Sequence, residues 1–387
     1  MQAWQRPVGR RQFGAVLAAT ALPWGKWASA QQGAQSDIVL GQSAALSGAL
    51  GNVGRHFSWG AKLAFAEAGA APPSERVQVK LISLDDGGDA QRCRVNTRKL
   101  LDARVSALFG YTGITTSLAA LPLVTDAEIP FFGPLTGAQR LRNPFNRWVF
   151  HVRASYEDEL DLTIGHLTDL GLSRIGLFYQ GDGFGQAGLY AANKALSARQ
   201  LSPTAIGVVD PHSQDVASAV QMLLAASPQA IVQVCSHVSS AAFVRRAREA
   251  GYSGTFHNVS LVDAQALGAA LGSSGTGVMI SQVVPSPWQR SQQLTREFVN
   301  AVERFGSNAQ ANYANLEGYF TARVFLEGVR NALQRGRGRF NSEGLVAGLE
   351  KIDQRVAGLA VAYSANNRQG SRFVEMSVLT GDGRVRT

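Results

Sequence analysis

"RIGLFYQGDGFGQAGLYAANKAL", residues 174–196, decides how this chain is read. An apolar run from Ile175 to Tyr179 leads into Gly183-Phe184-Gly185-Gln186-Ala187-Gly188, a G-x-G-x-x-G pattern followed by helix-forming residues. Asp210 stands 22 residues after Gly188, behind another strand-like run. A strand, a glycine loop, a helix and a later acid are the parts of a dinucleotide site. Two features oppose that reading. Gln180 to Gly183 separate the strand from the first variable residue of the motif, whereas a dinucleotide loop turns straight off its strand. Asp182 would also stand beside the pyrophosphate. The segment is therefore read first as a strand–loop–helix unit whose neighbours assign its role.

Those neighbours repeat the unit. Strands are expected at 37–46, 77–85, 105–109, 129–133 and 147–153, with helices between them. A second series follows, with strands at 174–180, 204–209, 229–235, 254–259 and 277–283. Its helices are expected at 157–170, 185–199, 213–226, 239–250 and 263–271. Strict β–α alternation with apolar strands predicts an α/β chain of two doubly wound parallel sheets. Amphipathic helices at 291–305, 313–334 and 342–350 come next, then late strands, so the chain is expected to return to its earlier lobes.

Composition narrows the function classes. The chain has 387 residues, 45% hydrophobic and 17% charged, which suits a globular protein of two lobes. Its start has a basic front end (Arg6, Arg10, Arg11), a short apolar run from Phe13 to Leu22, and Ala28-Ser29-Ala30. These are the parts of an export signal cut near Ala30, and Arg10-Arg11-Gln12-Phe13 resembles the twin-arginine pattern. Removing Arg6, Arg10, Arg11 and Lys26 from the 37 Lys and Arg leaves 33 against 28 acids, a net of +5. The runs 245–248 and 334–339 read as a solvated helix face and a basic loop, so no nucleic-acid partner is expected. Cys93 and Cys235 are read as separate buried thiols, and the six histidines show no metal-ligand spacing. No cofactor, metal or catalytic constellation is expected, and the chain is read as a binder rather than an enzyme.

The loops after the strands share a character. "ALSGALGNVG" (45–54), "GYTGITTS" (110–117), "GPLTGAQ" (133–139) and "GDGFGQAG" (181–188) are rich in Gly, Ser and Thr. Such loops cap helices and make turns, and they also offer N–H groups and hydroxyls to an anion. Together with "LISLDDGGDAQRCRVNTRKLL" (81–101) and the 174–189 segment, they resemble the branched-chain amino-acid-binding family of type I periplasmic solute receptors, from about 37 to 380.

The resemblance implies two lobes joined by three hinge crossings, near 153, 283 and 356, in a Venus-flytrap arrangement. Lobe 1 would comprise 37–152 plus 283–355, and lobe 2 would comprise 153–282 plus 356–387. It implies a small carboxylate-bearing solute held between the lobes and delivered to the permease subunits of an ABC importer by a periplasmic monomer. No transmembrane span would remain after signal cleavage. Ligand contacts carry over to Val53, Tyr111, Thr112, Gly113, Ile114, Thr115, Leu135, Thr136 and Gly137 from lobe 1. Lobe 2 would contribute Phe184 as an apolar lid, with Ser236 and His237. Amino-acid members carry an acid after the "F-x-x" strand to pair the ammonium; here "GTFHNVSLVDA" (254–264) places Ser260 there, with Asp263 as a substitute or as a helix cap. An exported NAD(P)-dependent oxidoreductase using 183–188, or a sensor feeding a membrane receptor, remain the alternatives.

Overall fold

The computed structural model describes residues 38–306, 311–336 and 340–387; the expected signal segment lies outside them. The first lobe opens with β1 (Ile38–Ala44), α1 (Gly51–Gly69), β2 (Val79–Asp85), α2 (Ala90–Asp102) and β3 (Ala107–Phe109). It continues through α3 (Ile114–Asp126), β4 (Phe131–Phe132) and β5 (Val149–Phe150). The five strands form a parallel sheet in the order β2-β1-β3-β4-β5.

The second lobe follows with α4 (Tyr156–Asp169), β6 (Ile175–Gln180), α5 (Gly183–Ser197), β7 (Ile206–Val209), α6 (Ala217–Ala225) and β8 (Ala230–Val234). Then come α7 (His237–Glu249), β9 (Thr255–Asn258), α8 (Ala264–Leu271) and β10 (Met279–Gln282). After α9 (Gln293–Phe305), α10 (Tyr313–Arg335) and α11 (Ser342–Leu349), the chain makes a hairpin of β11 (Asp353–Val356) and β12 (Leu359–Ala362). It ends with β13 (Glu375–Leu379) and β14 (Val385–Arg386). The second sheet runs β14-β13-β10-β9-β8-β6-β7, and only β13 runs against the others.

Local chemistry sets the helix starts. Asp89 caps α2, Ser155 and Asp158 form a reciprocal capping box on α4, and Asn312 and Asn341 cap α10 and α11. Helix α6 begins at Ala217, later than the sequence suggests. The residues before it are held in turns, with His212 N–H donating to Asp210 and Asp215 N–H to Ser213.

The first core is aromatic. Phe109, Phe132 and Phe150 stack in register, and Phe325 of α10 meets Phe109 and Phe132 edge-on. The helical block thus returns to the first sheet, and two glycines permit the approach of α10 to α1. A Cβ on Gly60 would lie 1.8 Å from the Asn315 carbonyl oxygen, and one on Gly318 would lie 1.9 Å from that of Phe57. Backbone meets backbone there, so neither helix can yield by moving a side chain. Gly318→Ala is expected to cost about 1–2 kcal/mol, because overpacking outweighs the roughly 1 kcal/mol of helix propensity that Ala adds. A urea midpoint equal to that of the wild type would show that the helices do not touch here.

The chain passes between the two sheets three times: from β5 to β6, from β10 back to the helices that cover the first sheet, and from α11 to β13. Val356 is the last residue of β11, at the tip of the hairpin within the third passage. Buried hydrogen bonds tie the first and third passages together. His151 N–H donates to the Arg368 carbonyl at 2.8 Å, and the Tyr363 hydroxyl donates to the His151 carbonyl at 2.9 Å. Arg142, buried, donates to the carbonyl of Arg153 at 3.1 Å.

Candidate functional site

The carboxyl ends of both parallel sheets enclose a cavity of about 310 Å3. One wall comes from Leu50, the Gly87-Gly88 turn and Thr112 to Thr116; the other from Gln180, Asp182, Phe184, His212 and Ser236. Loops at strand ends facing one another across a crevice are where ligands sit in open α/β sheets.

The helix starts on the two walls differ. On the second wall Asp182 accepts from the N–H groups of Phe184 and Gly185, both at 3.0 Å, and Ser236 accepts from Ser239 N–H at 3.3 Å. These helix ends satisfy themselves. Helix α3 on the first wall starts at Gly113, at φ 90°, with no side-chain cap. Gly113 to Thr116 line the cavity, and the positive end of a helix favours an anion. The Thr112 hydroxyl beside them is buried and completes no hydrogen bond.

The same bonds answer the question posed by the glycine motif. Asp182 occupies the N–H groups that a pyrophosphate would need, and each motif glycine has a packing reason. A Cβ on Gly185 would lie 1.8 Å from the Gln180 carbonyl oxygen, and one on Gly188 would lie 2.4 Å from Val234. A Cβ on Gly183 would come within 3.0 Å of the Thr115 hydroxyl on the opposite wall. Asp210 caps a turn at His212 instead of facing the loop.

Of the residues singled out from sequence, Thr112, Gly113, Ile114, Thr115, Phe184 and Ser236 line this cavity. Val53, Ser260 and Asp263 gather instead around a separate space of about 20 Å3, shared with Tyr313 and Glu317. Tyr111 turns its ring into the core against Phe131, at 5.0 Å between centroids, and its hydroxyl lies 3.1 Å from that of Thr97. Leu135 is a buried backbone partner of Tyr111 and Gly113. Thr136 is enclosed, and Gly137 accepts from Tyr156 N–H at 2.8 Å, with the Tyr156 ring where a Cβ would stand. His237, half-buried, is the first residue of α7 and is not part of the cavity wall. Asp263 is the cap of α8, accepting from Ala266 N–H at 3.2 Å, so of its two sequence roles the structure shows the cap.

Sequence reasoning passed over Arg153, Tyr156 and Glu159. The Glu159 carboxylate, fully buried, accepts from Ser260 N–H at 2.8 Å, the Ser260 hydroxyl at 3.0 Å and the Ser281 hydroxyl at 2.6 Å. Arg153 pairs with Glu159 at 3.3 Å and with Glu317 of α10 at 3.6 Å, and also donates to the Ser260 hydroxyl. Burial works against the Arg153 charge, yet Glu317 and Glu159 hold its pKa above the usual guanidinium value. Burial pushes the Glu317 carboxyl up, with Arg153 opposing. Ser155 and Asp158, which set the start of α4 with their capping box, were the local signal that fixes Tyr156 and Glu159 on its first turn.

A larger groove of about 890 Å3 lies outside the strand ends, along α4, α5 and residues 362–374. Its charges already pair, Asp158 with Arg372 at 2.6 Å and Glu157 with Lys194 at 2.7 Å, which leaves no free recognition group of that kind. Cys93 and Cys235 are free and buried, and burial raises the Cys93 thiol to about 12. Among the described residues no group of three or more metal ligands gathers, and no helix is long and apolar enough to cross a membrane.

Two parallel α/β lobes with facing strand ends and a crevice between them define a type I ligand-binding protein. The chain belongs to the periplasmic binding protein family, whose profile matches residues 37–383. Solved structures agree. A possible leucine/isoleucine/valine-binding protein from Rhodopirellula baltica is 28% identical, with TM-score 0.83 over 90% of this chain and 95% of that one. A substrate-binding periplasmic protein from Ralstonia solanacearum is also 28% identical, with TM-score 0.81 over 90% and 99%. A branched-chain amino acid ABC transporter protein from Thermus thermophilus with bound valine shares the fold at 16% identity and TM-score 0.81, over 91% and 95%. A search of curated proteins finds no match.

Proposed function

We propose that this chain is a non-enzymatic, extracytoplasmic solute receptor. It binds a small carboxylate-bearing solute, an amino acid or a related organic or aromatic acid, between its lobes and delivers it to an ABC importer. The observation that carries the reading is the uncapped start of α3, with the unpartnered Thr112 hydroxyl, facing Phe184 across the cavity. N–H groups would receive the carboxylate and Phe184 would cover the apolar part. Ser236 would complete the second wall. The leucine- and valine-binding character of the structural relatives supports an amino-acid-like size of ligand.

In this reading lobe 1 is 37–152 plus 283–355 and lobe 2 is 153–282 plus 356–387. The solute stabilises the closed arrangement by binding it more tightly than the open one. The closed form then docks on permease subunits in the periplasm, as a monomer freed of residues 1–30.

A thermal-melt screen of the mature chain tests this, using amino acids, aliphatic and aromatic carboxylates, amides and nicotinamide cofactors. A ligand at 100 times its dissociation constant is expected to stabilise the protein by about 2.7 kcal/mol. Phe184→Ala is expected to weaken the same ligand by about tenfold or more through lost apolar contact. A shift with a nicotinamide cofactor alone would instead support the oxidoreductase reading.

A further inference from the structure

Helix α2 carries charge that nothing in the protein answers. From Asp89 to Arg104, 16 residues, Arg92, Arg94, Arg98, Lys99 and Arg104 stand against Asp89 and Asp102, a surplus of three. The chain after residue 30 has a surplus of five in all, so more than half of it lies in this stretch. All five cations are exposed, and among the described residues none takes part in an ion pair. Elsewhere the surface interleaves its signs: Arg147 pairs with Glu343, Lys194 with Glu157, Arg199 with Asp161 and Arg290 with Glu303, at 2.7–2.9 Å. Even the basic run on α7 is absorbed. Arg246 meets Glu249, and Arg245 and Arg248 donate to the carbonyls of Ala270, Tyr252 and Gly254.

The nearby acids do not answer these cations. Asp89 caps the helix, accepting from Arg92 N–H at 2.7 Å. Asp85 and Asp86 hold the turn before it through Ser47, Ser43 and the N–H groups of Gly87 and Gly88. Asp102 makes no ion pair among the described residues, nor do Asp126 and Glu128, at and just beyond the end of the neighbouring α3. Lys99 and Arg104 suit the negative end of the helix dipole. Arg92 and Arg94 sit towards the positive end, and Arg94 and Arg98 repel at i, i+4. That arrangement works against the helix, whereas a polyanionic partner would be drawn to it.

The form of the patch selects the partner. Helix α2 has no aromatic ring for a nucleobase to stack on, and none of the cavities described above takes a lining residue from it. Val95 is its one large apolar side chain in the open, too little to anchor a protein interface or to enter a bilayer. What remains is a spread of long-stemmed cations over a helix surface, which suits a plane of phosphate groups.

We propose that the solvent face of α2 docks on anionic membrane lipid and holds the first lobe against the headgroups by charge alone. Basic segments near an anionic leaflet are attracted in this way over about a Debye length. The contact does not depend on the solute or on the receptor reading.

Co-flotation of the mature chain with vesicles tests it. Vesicles of phosphatidylcholine with an equal part of phosphatidylglycerol are expected to carry the protein at about 0.05 M salt and release it at about 0.5 M. Vesicles of phosphatidylcholine alone are expected to carry none. Each basic residue near the surface contributes about fivefold, so Arg94→Gln, Arg98→Gln and Lys99→Gln together are expected to weaken binding by about 100-fold. Gln matches Arg and Lys in helix propensity, so this triple variant is expected to melt with the wild type. The same change at Arg140, Lys351 and Arg386, exposed cations outside α2, is expected to weaken binding less than about threefold. Arg94→Lys with Arg98→Lys is expected to bind like the wild type, because a headgroup plane needs the charge and not the planar fork. Equal losses in the two triple variants would trace the binding to net charge and overturn the assignment to α2. No flotation at low salt, or flotation that survives high salt, overturns docking by charge. Tighter binding to a single-stranded oligonucleotide or to polyglutamate than to the vesicles overturns the choice of lipid.

Discussion

Glu159→Ala is expected to destabilise the protein by about 3–5 kcal/mol, because it leaves a buried guanidinium without its main partner. The carboxylate is fully buried and holds Arg153, Ser260 and Ser281 together. These groups come from the link between β5 and α4, the turn after β9 and the middle of β10, so one side chain joins three segments distant in sequence. After its removal Arg153 keeps Glu317 of α10, at 3.6 Å, as its carboxylate partner, with the Ser260 hydroxyl. The desolvation cost of Arg153 then has less to offset it, and Ser260 N–H and the Ser281 hydroxyl lose their acceptor. Urea denaturation followed by circular dichroism measures the loss. Arg153→Met in the Glu159→Ala background removes the orphaned charge and is expected to recover most of it. A single variant within 1 kcal/mol of wild type would show that the cluster is solvated and not a buried network.

The order of elements was legible because β–α alternation and apolar strands leave a strong periodic signal, and the residues of β6 and α5 carry it plainly. Strands β4 and β5 are each two residues long, shorter than their apolar runs. The first cavity wall was also legible. Gly113 and Thr112 sit in a loop whose composition has a local cause, the need for φ 90° at an uncapped helix start.

Arg153 and Glu159 were not legible. Their partners stand far away in sequence: Ser260 is 101 residues from Glu159, and Glu317 lies on the returning helix α10. Local patterning carries no information about such pairs. Tyr111 shows the converse limit. Its backbone belongs to the loop that reaches the site, while its ring is drawn into the core by Phe131 and Thr97. Sequence places a residue at a strand end, but packing decides which way its side chain goes. The glycine motif is a third case, since the same spacing serves close helix–strand packing whether or not a phosphate is present.

Acid is expected to weaken the fold through His257 well before the ordinary carboxylates are all protonated. His257 lies in β9, 1% exposed, with Nε2 3.0 Å from the Thr255 hydroxyl and Nδ1 without a partner. Burial lowers its pKa to about 4, and His166 nearby pushes the same way. The unfolded chain binds the proton near the ordinary value of 6.5, whereas the folded protein resists it until about 4. Stability from the neutral imidazole is therefore complete above pH 6.5 and lost as pH falls towards 4, by about 2–3 kcal/mol between pH 7 and 4.5. His151, buried in the first passage between lobes, is also held well below its usual value by burial and by Arg142, so it acts in the same direction. Urea midpoints at pH 7, 6, 5 and 4.5 give the slope, and His257→Gln isolates one contribution because an amide cannot take the proton. That variant is expected to be somewhat less stable at pH 7 and to lose about 2 kcal/mol less than wild type on reaching pH 4.5. Parallel curves for the two proteins would mean that His257 is solvated enough to titrate normally in the native state.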